Sequence, residues 1–390
     1  MSRPDPYDGV ALTAPITVDY ARRHEKGTHW IIGTALRKLL DASGVSKEEI
    51  DGFAVSSFTL GSDTTIALTE HYQISPRWIE WIPNGGASGV MAARRAARAI
   101  QAGDASIVAC IAGDAPDPSS FETLIRNFSS FSAQAVVPYG AAGPNGSFAL
   151  ITDNYMRRFG ADRSDFGRIA VAQRANALAN PNALLGRRPL TLDDYLNAPP
   201  IAEPIHLFDC VMPCAGAEAF LVMREDRARS LGLPYGVIRG AIERHNAFFE
   251  EPIAERGGWA FDRDSLYDQA GLGPEDVDCL QTYDDYPVAT VFQIEDLGFC
   301  EKGEGKTLVR SRDLTVAGDF PLNTCGGQLS CGQAGAAGGF LPIVEGLRQV
   351  TGQPLGLQVP DARIALAAGY GMITYDRCLS SGALLLEGHR

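Results

Sequence analysis

The chain has 390 residues, 45% hydrophobic and 21% charged, with 47 acidic against 34 basic residues and a net charge of −13. That length suits two domains or two fused halves, and the composition is that of a soluble globular protein. An acidic balance argues against a nucleic-acid binder, no apolar run reads as a membrane span, and the start, MSRPDPYDGV, lacks a signal-peptide pattern.

Residues 47–58, KEEIDGFAVSSF, give an acidic helix turn, an aliphatic residue, Asp and then a strand-like run. PNGGASGV at 83–90 is a Gly-rich turn opening the helix VMAARRAARAIQAG, which ends in a C-capping Gly. DASIVACIAG at 104–113 reads as a buried strand. After it, about 114–205 is expected to form an ordered excursion over the active face. It holds SSFETLIRNFSSFSAQ, PYGAAGPNGSFAL, the helix-like ITDNYMRRFG and a Pro- and Asn-rich segment, with apolar residues throughout.

Then the opening pattern returns. PEDVDCLQTYDD at 274–285 matches the first stretch, LNTCGGQLSCGQ at 322–333 matches the Gly-rich turn, and GGFLPIVEGLRQVTG matches its helix. DARIALAAG at 361–369 matches the buried strand. Strands alternating with helices imply parallel sheet covered on both faces. The expectation is α/β architecture in two similar halves, 1–225 and 226–390.

The eight cysteines are scattered, with no C-x-x-C pair and no His at zinc-finger spacing. Neither a disulfide scaffold nor a metal site is suggested, and a reduced, cytoplasmic protein is expected. YDDYP at 283–287 sets Tyr283, Asp284, Asp285 and Tyr286 side by side. On the residues alone this is either an acid/base site or a hydrogen-bonded turn.

Several blocks in order carry a resemblance: RIAVAQRANALANPNALLGRRPLTLDDYLNAPPIAEPIHLFDC, then IEDLGFC, then DFPLNTCGGQLSCGQAGAAGGF. They resemble the thiolase superfamily and, within it, the thiolase-like lipid-transfer proteins related to sterol carrier protein X. The resemblance implies two βαβαβαββ halves in a five-layered αβαβα sandwich, a homodimer and an acyl-CoA substrate.

The family builds its site from four loops, and this sequence departs at each. Gly86, after Gly85, stands where thiolases carry the nucleophilic Cys. Gln333, after Gly332, stands for the His of G-H-P. Tyr370 follows the place of the second Cys, and the remaining loop is Tyr283–Tyr286. Without a thiolate at 86 no acyl-enzyme forms there.

The resemblance therefore points to retro-aldol cleavage of a β-hydroxyacyl-CoA, as in aldolases that shorten steroid side chains. The substrate is a CoA thioester and no further cofactor is expected. Tyr283 would transfer the proton at the β-hydroxyl, oriented by Asp284 or Asp285. Gln333 and the turn at Gly85, Gly86 and Gly332 would hold the thioester oxygen, with Tyr286 or Tyr370 as second acid. By analogy a small OB-fold partner subunit is expected. The alternatives are a thiolase or acyltransferase using Cys331 as nucleophile, and an inactive lipid-CoA-binding or scaffold subunit.

Overall fold

A computed structural model describes residues 6–116, 130–140 and 143–390; most of the Ser/Phe-rich part of the excursion, 117–129, lies outside the described residues. The strands are β1 (Val10–Ala21), β2 (Gly52–Ser56), β3 (Trp78–Trp81), β4 (Ile107–Asp114), β5 (Pro200–Ala202) and β6 (Ile205–His206). They continue with β7 (Ala215–Arg224), β8 (Tyr235–His245), β9 (Cys279–Gln281), β10 (Ile364–Thr374) and β11 (Arg377–His389).

Their order makes the repeat physical. One nine-stranded sheet runs β3-β2-β4-β7-β1-β8-β11-β10-β9, while β5 and β6 form a separate ribbon. In the first half β2 is parallel to β3 and β4, and β7 is antiparallel to β4 and β1. In the second half β9 is parallel to β10, and β11 is antiparallel to β10 and β8. So β9-β10-β11-β8 repeats β2-β4-β7-β1 in order and in direction. At the place of β3 the second half keeps only a parallel bridge between Leu280 and Leu322. The halves join where Ala11–Thr13 of β1 pairs with Tyr235–Val237 of β8.

Three helical layers cover the two halves of the sheet. The helix Thr28–Ser43 buries Ile31, Ile32, Ala35, Leu36 and Leu39, a one-sided stripe at helical spacing, against β1, β4 and β7. The helices Trp259–Ala270 and Pro287–Asp296 belong to the opposite outer layer, where Leu266, Val291 and Phe292 share a core with Leu366 and Leu385 of the second half. Between the halves lie the helices Ser88–Ala102 and Leu341–Thr351, which touch strands of both. Every residue of Leu341–Thr351 is buried, as a helix enclosed on both sides requires. This is the αβαβα sandwich that the resemblance implied.

The central helices approach closely at their N-terminal ends. A Cβ on Gly89 would lie 2.2 Å from the Gly339 carbonyl oxygen, and one on Gly339 would lie 2.5 Å from that of Gly85. Only glycine admits such backbone contact. Both Gly-rich turns are thereby brought to one end of the molecule.

Away from that end, Glu218 on β7 is fully buried between the layers. Thr17 donates to its Oε2 at 2.8 Å, while Oε1 has no hydrogen-bond partner among the described residues. Burial pushes its carboxyl from 4.5 up to about 8, with Arg348 and Thr17 opposing. Asp284 and Asp296 are likewise raised by burial, each to about 6.

A group that keeps its proton in the folded state but loses it when unfolded makes stability fall with rising pH. For Asp284 and Asp296 that fall ends near pH 6, whereas Glu218 carries it on to about 8, together with Asp285, whose carboxyl burial also raises. The urea midpoint is expected to drop between about pH 6 and about 8 in the wild type and to drop less steeply in Glu218→Gln. An unchanged slope in the variant would refute the assignment.

Candidate active site

The loop 282–286 follows β9 and enters the helix Pro287–Asp296, whose proline at the first turn is pre-set for helix. Its backbone is held from two directions. Gln293 accepts the Tyr283 N–H at 2.9 Å and donates to the Tyr283 carbonyl at 2.7 Å. Asn323 Oδ1 accepts the Thr282 N–H at 2.6 Å.

The two aspartates then part company. Asp284 accepts the N–H groups of Gln328 at 2.9 Å and Leu329 at 3.2 Å, at the start of the short helix Gly327–Cys331. It satisfies orphan helix donors and is not in the cavity wall. The expectation that it orients Tyr283 gives way to this capping task. Asp285 does line the cavity, and its buried Oδ1 has no hydrogen-bond partner among the described residues.

The cavity has a volume of about 340 Å3. Tyr283, Tyr286, Tyr370, Asp285 and Gln333 line it, together with Gly85 and Gly86 at the mouth of the helix Ser88–Ala102. Phe58, Val211, Pro213, Met372 and Ile373 supply apolar wall. Among the described residues no Lys, Arg or His lines it.

Gln333 is set in place by its backbone, which donates to the Met212 carbonyl at 2.8 Å and accepts the Cys214 N–H at 2.9 Å. Its amide then reaches the Tyr283 hydroxyl at 3.1 Å and Gln328 Oε1 at 3.2 Å. Tyr286 donates its hydroxyl to Asn145 Oδ1 and stacks on Phe148 with centroids 4.1 Å apart. The Tyr370 hydroxyl accepts the Cys378 N–H at 3.4 Å, and its ring leans on Trp259. Burial pushes all three phenols well above their ordinary range. Burial first, and then Asp284, does the same to the Asp285 carboxyl.

Gly86 has no room for a side chain. A Cβ there would lie 2.2 Å from the Tyr370 carbonyl oxygen and 2.4 Å from Tyr283 Cζ. The Tyr283 ring fills the space a side chain at 86 would need.

Two candidates fall elsewhere. Gly332 is not in the cavity wall; it sits at φ +107° after the short helix, packed beside Cys214. Cys331 is buried outside the cavity, with its Sγ donating to the Cys325 carbonyl at 3.2 Å and accepting from Asn180 at 3.5 Å. The reason is the same for both: the capped helix turns them back into the core before Gln333 emerges.

Sequence reasoning missed much of the wall, including Asp114, Asn145, Cys210 and Cys378. Asp114 ends β4 and accepts from Ser57 Oγ at 2.6 Å, Thr59 N–H at 2.7 Å and Ala336 N–H at 2.7 Å, tying three loops together. A carboxylate directly after the apolar run of β4 was the available signal. Cys378 was readable from the β10–β11 hairpin, which brings it across from Ile373, near Tyr370. Asn145 comes from the excursion and Cys210 from just after it, and neither had such a signal. Among the described residues no group of His, Cys, Asp and Glu is placed to hold a metal ion, and no helix is long and apolar enough to cross a membrane.

Comparison with known proteins agrees with this architecture. Residues 250–380 match the family model described as thiolase C-terminal domain-like. A steroid side-chain-cleaving aldolase of Thermomonospora curvata is 29% identical over 94% of this chain and 96% of its own. A 17-hydroxy-3-oxo-4-pregnene-20-carboxyl-CoA lyase of Mycobacterium tuberculosis is 29% identical over 94% of this chain and 97% of its own. Among solved structures, the Ltp2-ChsH2(DUF35) aldolase superimposes with a TM-score of 0.83 at 26% identity, covering 98% of both chains. Over nearly its whole length the chain is therefore similar in sequence and in fold to thiolase-like aldolases and lyases.

Proposed function

We propose that this chain is an acyl-CoA carbon–carbon lyase. It cleaves a β-hydroxyacyl-CoA by retro-aldol chemistry into a ketone or aldehyde and a shortened acyl-CoA. One observation carries the reading: Gly86, which stands where the resemblance puts the thiolase nucleophile, has its side-chain space filled by the ring of a cavity-lining phenol. Acyl transfer through a thiolate at that place is closed, while a hydroxyl donor stands where the reacting carbon would lie. The aldolase and lyase among the relatives support the same direction.

The residues divide the work as follows. Tyr283 meets the β-hydroxyl and moves its proton, since a positioned hydroxyl is worth roughly 10²- to 10⁴-fold in proton transfer. The Gln333 amide and the backbone of the Gly85–Gly86 turn face the thioester oxygen as it gains enolate character, the largest electrostatic demand of the reaction. Tyr286 and Tyr370 complete the polar wall. The cleavage is redox-neutral and is drawn with no cofactor beyond the CoA of the substrate.

The apolar wall suits a branched hydrocarbon acyl group, a steroid side chain among them. A homodimer and a small OB-fold partner subunit are part of the proposal; a DUF35 partner in the related aldolase favours the latter. The free cysteines fit a reducing compartment such as the cytoplasm.

The test is turnover of β-hydroxyacyl-CoA thioesters branched at Cβ by the protein with its co-purifying partner, read as release of shortened acyl-CoA. Tyr283→Phe is expected to lower kcat by about 100-fold or more while leaving KM nearly unchanged. No release from any substrate of the panel, or acyl label trapped on a cysteine, would overturn the lyase reading. Separately, Gly86→Cys is expected to gain no thiolase activity and to lose stability by about 1–3 kcal/mol in urea unfolding, because the new side chain meets backbone and ring. A folded variant that accumulates an acyl-enzyme would show that the space is not closed.

A further inference from the structure

The proposed reaction moves one proton from the β-hydroxyl to Cα, and one of the two carboxyls in the cavity wall, Asp114, is already engaged by Ser57, Thr59 and Ala336. Among the described residues none of its lining side chains is Lys, Arg or His. Each phenol already has a fixed partner: Gln333 for Tyr283, Asn145 for Tyr286 and the Cys378 N–H for Tyr370. A phenolate formed here would be an uncompensated buried charge.

Asp285 stands apart from these. It lines the same cavity, and its Oδ1 is buried with no hydrogen-bond partner among the described residues. Native structures rarely leave such an atom unpaired, and the exceptions cluster where a ligand or a reaction supplies the partner. The contrast with Asp284 sharpens the point. The adjacent residue has the same chemistry, yet it is engaged with the N–H groups of Gln328 and Leu329.

Resting on the lyase reading above, we infer that Asp285 is a catalytic residue that closes the proton circuit, acting as a neutral carboxylic acid. It gives its proton to Cα while its other oxygen recovers the β-hydroxyl proton through Tyr283. The steps balance. The β-hydroxyl proton passes to the Tyr283 oxygen, the Tyr283 proton to the Asp285 carbonyl oxygen, and the Asp285 hydroxyl proton to Cα. The electron pair of the substrate O–H bond becomes the new carbonyl π bond. The pair of the broken Cα–Cβ bond passes through the thioester enolate and ends as the new Cα–H bond. Tyr283 and Asp285 finish neutral, as they began, with the two carboxyl oxygens exchanged in role. Burial and the neighbouring Asp284 both favour the protonated carboxyl that this requires.

Two variants decide the matter, assayed with the protein and its partner on the thioester that wild type cleaves best. Asp285→Asn keeps the shape and the hydrogen bonds but transfers no proton. It is expected to lower kcat by about 100-fold or more with KM within about threefold. Asp285→Ala is expected to be equally slow and to recover roughly tenfold or more on addition of formate, but not of formamide, which fills the same space without an exchangeable acid.

Thermal melting confirms that each variant is folded; if the asparagine variant is not, rescue of the alanine variant gives the answer. An Asp285→Asn kcat within about threefold of wild type, or equal rescue by formamide, overturns the role of Asp285 and leaves the lyase intact. A wild-type protein that releases no shortened acyl-CoA overturns the lyase reading, and this one with it.

Discussion

A side chain at position 86 and the ring of Tyr283 cannot share the same space, and the rest of the site follows from that exclusion. The turn carrying Gly86 has nowhere to retreat. A Cβ on Gly86 would meet the Tyr370 carbonyl oxygen, and one on Gly371 would lie 2.0 Å from that of Asn84. Behind the turn, the central helices press backbone against backbone through Gly89 and Gly339. The turn comes from one half of the duplicated chain and the phenol from the other. The two residues depend on each other. A side chain at 86 would clash with Tyr283, and a small residue at 283 would leave a hole beside the glycine.

The second consequence is electrostatic. A thiolase cavity works through a charged nucleophile and the base that activates it. This cavity holds phenols, amides, thiols and two carboxyls, with no cationic side chain among the described residues of the wall. Burial drives each acidic group toward its neutral form, so the donors act by direction, not by charge. Direction is what the structure supplies. Gln333 is clamped by residues 212–214, Tyr283 by Gln293, and Tyr286 by Asn145 and Phe148. Fixed neutral dipoles in a dry site stabilise a developing enolate oxygen without reorganising during the reaction.

The duplication was legible in the sequence because it rests on local signals. Acidic turns, buried strands and Gly-capped helices recur in the same order, and the strand order β2-β4-β7-β1 returns as β9-β10-β11-β8. What stayed hidden depends on contacts between distant segments. The third strand of the second half shrinks to the Leu280–Leu322 bridge, because Pro321 and the turn after it leave no room for a ladder. Asn145 and Cys210 reach the cavity only because the excursion folds back over it. Cys331 looked well placed beside a Gly-rich turn, yet the short helix that contains it points its sulfur at the Cys325 carbonyl. Spacing located the loop, but not which way each of its side chains would face.

One ambiguity within YDDYP was resolvable in principle. Along extended backbone successive side chains face opposite ways, so residues two apart share a side. Tyr283 and Asp285 share the cavity side, and Asp284 falls opposite, onto the helix Gly327–Cys331, before a bend at 285–286 brings Tyr286 to the cavity as well. The alternation turns two identical carboxyls into different devices. Asp284 holds the N–H of Gln328, and Gln328 Oε1 in turn accepts from the Gln333 amide that reaches Tyr283. It therefore bears on the site only through the residues it positions. Asp285 has no such tie at Oδ1 and faces the cavity directly. A chain that needs both a rigid amide and a free acid at one phenol obtains them from adjacent residues, because the backbone between them turns each to its own side.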